Sequence, residues 1–463
     1  MGLFKKSTKF WPWNFRLFSL WLRLAVLSLA FSFWGGLNWG WAQEQASPST
    51  QPKAAFPTTS PPTKSPTEKP DRSIDPELAA WLNLCQTGSP TEIDQKIKAG
   101  AKVEATDPDG VTPLMMAAAN PNPLAITVLL DAGADPEAME RRFGFNPLRL
   151  AALFNSNPSV IRAILPRTAR VDDRDFSGNS ALSLAAGTNP NPQVVELLIM
   201  AGADLSIHDD SGMTPLMAAA LRNKNPEVLK KLLSMRANVN QIDDNGESVL
   251  HKVARHGDNP DILDFLLKAG ATLELKDKNG ETPFMAATQN PNENMHKTLL
   301  RAGANSKALD NQGNTALFGA ALNNSNQEVI TNLLRLGLDV NQRNKLNMTP
   351  LMMAVANPNP QITRLFLIQG ADVAAEDNKG RDALKLAARL AGDPLVAKAL
   401  LAAGANPNAK DSQGQTAYSL AQLNPAREVT AVFEDWDANH KDDQKGVDGT
   451  DLKNKNPKKD QKP

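Results

Sequence analysis

A short unit is copied along most of this chain, and that repetition limits the fold more than any other feature of the sequence. A small polar residue followed by proline, alanine or valine recurs ten times, at spacings of 34 residues or, in two cases, 33. These dipeptides are Thr112-Pro113, Asn146-Pro147, Ser180-Ala181, Thr214-Pro215, Ser248-Val249, Thr282-Pro283, Thr315-Ala316, Thr349-Pro350, Asp382-Ala383 and Thr416-Ala417. Such a period predicts one stack of similar units rather than several unrelated domains.

Each unit indicates two short helices separated by tight turns. The polar residue of each dipeptide is a helix cap, and proline fits the first helical position because no amide donor is needed there. A second cap, often Asn-Pro as in Asn122-Pro123, opens a second apolar helix, which usually ends at a glycine such as Gly202. A glycine also stands two residues ahead of each dipeptide, except at Asn347. Asparagine tolerates left-handed backbone better than most residues, so this exception supports a left-handed turn.

The repeated elements Gly-x-Thr-Pro-Leu-Met-x-Ala-Ala, Leu-Leu-x-Ala-Gly-Ala-Asp and Asp-x-x-Gly resemble ankyrin repeats over about residues 75 to 433. The resemblance implies an all-α ankyrin-repeat solenoid of about ten helix-turn-helix repeats with short hairpin fingers, a finger being the loop around each turn glycine. The tetratricopeptide repeat has a similar period, but it lacks the glycine-ended second helix and favours tyrosine, of which this chain has only Tyr418. The Asn-Pro-Asn-Pro links between helices resemble those of exported bacterial ankyrin proteins.

We expect five segments. Residues 1–42 predict a signal peptide, because a basic start precedes the uncharged run 24–37 and small residues allow cleavage after Ala42. An uncleaved membrane anchor is the alternative. Residues 43–73 are predicted to form a Pro/Ser/Thr-rich linker, and residues 74–106 are predicted to form a degenerate N-terminal capping repeat. The ankyrin-repeat domain covers 107–433, and 434–463 predict a disordered charged tail.

The composition argues against catalysis and against nucleic acid. Lysine plus arginine equals aspartate plus glutamate at 50 each, and removal of residues 1–42 leaves 45 basic and 50 acidic residues. The histidines lack ligand spacing, since even His251 and His256 are five residues apart and off one helical face, and the repeated aspartates mark turns. We therefore expect no enzyme, no cofactor, no metal site, no membrane insertion after signal cleavage, and a monomer. The single cysteine, Cys85, lies in an apolar helical run and predicts a buried structural thiol.

One group of fingers differs from the rest. In the ankyrin family, partners are usually held by the fingers and the exposed side of the first helices. Most of these positions here are small or polar, whereas fingers two to four and their neighbouring helices carry aromatic residues and arginine, which dominate interface energies. The predicted partner-binding residues are Arg141, Arg142, Phe143, Phe145, Arg149, Phe154, Phe176, Met213 and Arg222. The alternative is that Phe143 and Phe145 pack only against each other.

The resemblance implies a non-catalytic scaffold that binds a protein partner through its finger and inner-helix face. The export signal places this scaffold in the bacterial envelope, with the periplasm as the expected location. A chaperone-like or protective shield for an envelope enzyme is the alternative, and a host-directed effector is a less favoured one.

Overall fold

The structure, a computed structural model, describes residues 74–439, and these form 22 α-helices in eleven pairs with no β-strand beyond one isolated bridge. The first helices of the pairs are α1 Pro76–Thr87, α3 Pro113–Ala117, α5 Pro147–Phe154, α7 Ala181–Thr188, α9 Pro215–Arg222, α11 Val249–His256, α13 Pro283–Ala287, α15 Ala316–Asn323, α17 Pro350–Ala354, α19 Ala383–Leu390 and α21 Ala417–Ala421. The second helices are α2 Pro90–Lys98, α4 Pro123–Asp131, α6 Pro158–Ile164, α8 Pro192–Met200, α10 Pro226–Ser234, α12 Pro260–Lys268, α14 Glu293–Arg301, α16 Gln327–Arg335, α18 Pro360–Ile368, α20 Pro394–Ala402 and α22 Arg427–Asn439. The predicted all-α repeat fold is confirmed.

The chain divides into two compact units. The N-terminal unit contains the described residues up to Ala181 together with Met200–Ala203. The C-terminal unit contains Leu182–Ile199 and the residues from Asp204 onward. Each unit is described here by itself.

Helix starts and turns follow the local chemistry predicted from the repeat. The hydroxyl of Thr112 accepts a hydrogen bond from the amide of Met115, three residues along, and Pro113 occupies the first position of α3. Gly212 has φ 77° and Asn347 has φ 61°, so both lie in the left-handed region as predicted. A residue with a Cβ is strained in this region. Glycine or asparagine at these positions therefore marks the turn at which each repeat begins.

Within each unit, like helices stack on like helices. In the N-terminal unit α1 packs on α3 and α4 on α6, and in the C-terminal unit α11 packs on α13 and α15 on α17. Small and apolar side chains fill these contacts; Ala117 and Leu129 in one unit and Ala320 and Leu333 in the other are fully buried. Each repeat therefore buries its apolar surface mainly against its neighbours, as the array requires.

Buried asparagines in the link between the first and second helices of a pair form hydrogen bonds to the preceding repeat. In the C-terminal unit the side-chain amide of Asn324 donates to the carbonyls of Thr288 and Asn290, both at 2.8 Å. The equivalent residues that make the same pair of bonds to the preceding repeat are Asn120 and Asn155 in the N-terminal unit and Asn223, Asn290, Asn357 and Asn424 in the C-terminal unit. We call this series the asparagine ladder. Gly257 and Ala391 occupy the equivalent positions of two repeats and supply no side-chain donor.

In most links a second asparagine caps the second helix, as the pattern predicts; the side-chain oxygen of Asn326 accepts from the amide of Glu328 at 3.0 Å. Asp393 has this role in one repeat. The same Asn-Pro pattern predicts a cap at Asn424-Pro425, and this prediction is wrong. Asn424 belongs to the asparagine ladder, and α22 begins three residues later at Arg427. The last link lacks the second asparagine of the pair, so its single Asn-Pro occupies the position of the first asparagine and not that of the cap.

The ends of the described chain are helical. Helices α1 and α2 occupy the segment predicted as a capping repeat, and the predicted burial of Cys85 is confirmed, with desolvation raising the pKa of its thiol. Helix α22 runs to Asn439, so the boundary predicted at residue 433 falls inside it. The predicted signal peptide, the linker and residues 440–463 of the predicted tail lie outside the described residues. Between residues 74 and 439, no helix has both the length and the apolar character to cross a membrane.

Candidate functional site

The predicted binding residues are divided between the two units. The N-terminal unit holds Arg141, Arg142, Phe143, Phe145, Arg149, Phe154 and Phe176, whereas the C-terminal unit holds Met213 and Arg222. The first group surrounds fingers two and three, which are neighbours within that unit.

The second finger is built around a buried glutamate. Most other fingers use an aspartate to accept two backbone amides, as Asp107 does from Asp109 and Val111; Asn344 does so in one finger. The second finger contains one extra residue, and the longer side chain of Glu140 spans the wider turn. Its two carboxylate oxygens accept from the amides of Arg142, Phe143 and Phe145 at distances of 2.7–3.0 Å. The predicted turn-capping role of the repeated acids is confirmed, and it fixes this finger through three bonds.

The third finger places Phe176 against the second. The amide of Phe176 donates to the carbonyl of Phe143 at 2.9 Å. Its ring lies over Gly144 so closely that a Cβ on this glycine would come within 2.8 Å of the ring. One face of the ring is thus supported by backbone, while the side chain as a whole remains 62% exposed. An aromatic side chain held rigidly in solvent is the kind of group that anchors protein interfaces.

Two arginines and a phenylalanine precede Gly144 in the second finger. Arg141 and Arg142 are exposed, and the guanidinium carbon of Arg142 lies 5.5 Å from the centre of the half-buried Phe143 ring. We call Arg141, Arg142, Phe143 and Phe176 the finger patch.

Two of the predicted residues are not available at this surface. Phe145 is 3% exposed and packs against Phe143 with ring centres 5.8 Å apart, as the packing alternative required. Arg149 is 1% exposed and donates to the carbonyl of Gly144 at 2.5 Å. The expectation that Phe145 and Arg149 are exposed is therefore wrong: Phe145 packs behind its finger, and Arg149 occupies a position of the first helix that is also buried at Met115 and Met217.

Arg149 supports the finger electrostatically as well. Burial lowers the pKa of Arg149, and the carboxylates of Asp175, Asp173, Glu137 and Glu140 act in the opposite direction. The positive charge of Arg149 thus compensates the negative charge of the acids in the second and third fingers. Of the three remaining residues, Phe154 is half-buried at the end of α5. Met213 and Arg222 are half-buried within the C-terminal unit, where burial lowers the pKa of Arg222.

A charged network in the C-terminal unit was missed from the sequence. The ammonium of Lys252 lies 2.7 Å from Asp243 and also pairs with Glu247. The guanidinium of Arg255 lies 3.2 Å from Glu247 and 2.6 Å from Glu281. Glu247 and Glu281 occupy the same position in consecutive repeats, and that spacing of 34 residues was the signal that could have placed them together.

The network is saturated by its own members. Burial alone would lower the pKa of Lys252, but Glu247 and Asp243 outweigh that effect and raise it. The pKa of Arg255 is likewise raised by Glu281 and Glu247 against the effect of burial. These partly buried ions therefore join neighbouring repeats, and most of their charge is already neutralised.

Two buried histidines differ in their contacts. His251 lies between Ser248 and the carbonyl of Glu281, at 3.0 and 3.1 Å. His296 is fully buried, neither of its ring nitrogens has a hydrogen-bond partner, and its ring meets Phe284 edge-on at 6.5 Å. Desolvation lowers the pKa of His296 to about 4. Within the described range, no group of three or more histidine, cysteine or acidic residues is arranged to hold a metal ion.

Comparison with known families identifies the repeat. The family model described as ankyrin repeats in three copies matches residues 182–277, 250–344 and 320–411, and the single ankyrin repeat model matches residues 109–141. The chain belongs to the ankyrin-repeat proteins, which are typically non-enzymatic modules for protein–protein interaction. A search of curated proteins finds no match.

Proposed function

We propose that this protein is a non-catalytic scaffold that binds a protein partner through the finger patch of its N-terminal unit. The observation that carries this proposal is the exposed ring of Phe176, which lies on Gly144 of the finger that also carries the exposed Arg141 and Arg142. An aromatic residue that pays little conformational entropy on binding is an efficient anchor.

The partner and the location are part of the same proposal. A basic, apolar N-terminal segment followed by a proline-rich spacer supports export, so the partner is an envelope protein and the scaffold acts in the periplasm. Sequencing of the released protein tests this point: a mature N-terminus at Gln43 supports cleavage, and a membrane-embedded chain beginning at Met1 contradicts it.

Phe176→Ser tests the binding surface. We expect capture of the partner from an envelope extract to weaken by at least about tenfold, since loss of a buried aromatic anchor costs on the order of 2 kcal/mol. The melting temperature should stay near that of the parent, because the Phe176 side chain lies outside the stacked helices.

The matched control is a polar finger of the C-terminal unit. Lys278 and Asn279 occupy the tip of finger six, and their replacement by alanine should leave capture unchanged. Normal capture by the Phe176→Ser variant would show that the finger patch does not bind the partner.

A further inference from the structure

We propose that the finger patch recognises an acidic segment of its partner, in which carboxylates adjoin an apolar or aromatic side chain. This inference rests on the proposed function and names the chemistry of the partner. Three features carry it: the acids of the two fingers are held mainly by backbone amides, the guanidinium groups of Arg141 and Arg142 are exposed without a carboxylate partner, and the exposed ring of Phe176 is supported on one face by Gly144.

The acids around the finger patch are occupied by backbone or by other arginines. Glu140 accepts three amides and is 2% exposed. Asp175 accepts the amides of Ser177 and Asn179 and is 8% exposed. Asp173 pairs with Arg170 at 3.2 Å, and one oxygen of Glu137 accepts the amide of Ala169. These carboxylates are therefore committed to holding the fingers in shape.

Arg141 and Arg142 have no such commitment. Among the described residues, no carboxylate lies within 4.0 Å of either guanidinium, although both side chains are exposed. Their backbone positions are nevertheless fixed, since the amide of Arg141 donates to the carbonyl of Asp109 and that of Arg142 to Glu140. Arginine binds carboxylate through two parallel hydrogen bonds, and here the complementary charge is missing from the protein itself.

The ring of Phe176 specifies the second half of the ligand. Because Gly144 supports one face of the ring, a partner side chain can contact only its outer face and edge. A residue of apolar character next to a carboxylate would bury that surface while the arginines bind the charge. Desolvation by the apolar contact strengthens the ion pair, because the effective dielectric falls.

A folded acidic protein segment fits the charge distribution better than a nucleic acid does. The finger patch contributes two arginines, whereas a protein that binds an extended polyanion usually contacts it with many basic residues. Without residues 1–42 the chain carries 45 basic and 50 acidic residues, and exposed acids such as Asp244 occupy finger tips elsewhere. Attraction is therefore local to the finger patch.

Fluorescence anisotropy with the full chain and labelled peptides tests the inference. The probe is a short peptide in which glutamate alternates with leucine, and its counterpart contains lysine in place of glutamate. We expect the acidic peptide to bind, its affinity to fall with rising salt, and the double variant R141S/R142S to weaken it by about tenfold. The exposed Lys278 of finger six provides the control, because Lys278→Ser should leave the affinity unchanged.

The outcomes separate this inference from the proposed function. Equal binding of the acidic and basic peptides, equal affinity for the double variant, or competition by single-stranded RNA would overturn the acidic specificity. If Phe176→Ser weakens capture of the partner while R141S/R142S does not, the finger patch remains a binding surface and only its acidic specificity is wrong. If neither variant affects capture, both proposals fall.

Discussion

Replacing one rung of the asparagine ladder tests how the repeats are joined. Asn324 is 1% exposed, and its side chain makes three hydrogen bonds: it donates to Thr288 and Asn290 and accepts from the amide of Asn326, all at 2.8 Å. No backbone amide of the described chain donates to either of the two carbonyls. Asn324→Ala therefore leaves two carbonyls and one amide without their partner.

The magnitude follows from the number of bonds. A net contribution of about 1 kcal/mol per hydrogen bond gives a loss of about 3 kcal/mol in the free energy of unfolding, and more if water cannot reach the carbonyls. The matched control is Asn326→Ala in the same repeat. Asn326 lies at a more exposed site, where water replaces its lost bonds, so we expect a cost of about 1 kcal/mol, typical of a helix cap.

The assay is equilibrium unfolding in urea combined with amide hydrogen exchange. Hydrogen exchange is needed because a repeat array does not unfold in a single transition. The loss of protection from exchange should appear in the repeats on both sides of Asn324. If both variants are destabilised equally, or Asn324→Ala changes stability by less than about 0.5 kcal/mol, the asparagine ladder contributes little and apolar stacking alone joins the repeats.

Two further predictions concern buried groups. His296 takes up a proton in the unfolded chain at its usual pKa of 6.5 but in the folded chain only near 4. Stability should therefore decrease by up to about 3 kcal/mol as pH falls between these values. His296→Leu should reduce this decrease in melting experiments, whereas an unchanged pH dependence would contradict the burial. Gly212→Ala should cost at least about 1 kcal/mol more than Gly313→Ala in urea unfolding. Both glycines have positive φ, but a Cβ at Gly212 would lie 2.5 Å from the amide of Asp244, whereas the nearest atom at Gly313 is 3.5 Å away. Equal costs would contradict this reasoning.

Local repetition made the helices and turns predictable. Caps such as Thr112 and left-handed positions such as Asn347 depend on a few adjacent residues, and those recur in register. The asparagine ladder was less accessible, because the partners of Asn324 lie in the preceding repeat and are backbone atoms. A pattern of residue types shows that an asparagine recurs, but it does not show which carbonyl the side chain reaches.

The finger patch was predictable in composition but not in exposure. Phe145 packs against Phe143 behind the turn, and Arg149 lies at the helix position that is also buried at Met115 and Met217, so neither side chain is exposed. Phe176 is different because it follows the turn acid directly and remains exposed. Side-chain direction in a short loop depends on the backbone hydrogen bonds of that loop, which the order of residue types alone does not specify.

The asparagine ladder also bears on how an array of this kind can change its length. Each asparagine reaches back to its predecessor through main-chain oxygen atoms, which every residue possesses; thus Asn424 bonds to the carbonyl of Ala391 as readily as Asn357 bonds to that of Asn324. These hydrogen bonds consequently place no requirement on the side chains of the preceding repeat. Gene duplication or excision in steps of one period would preserve the hydrogen bonds between repeats. The number of fingers could therefore evolve separately from the stability that these bonds provide.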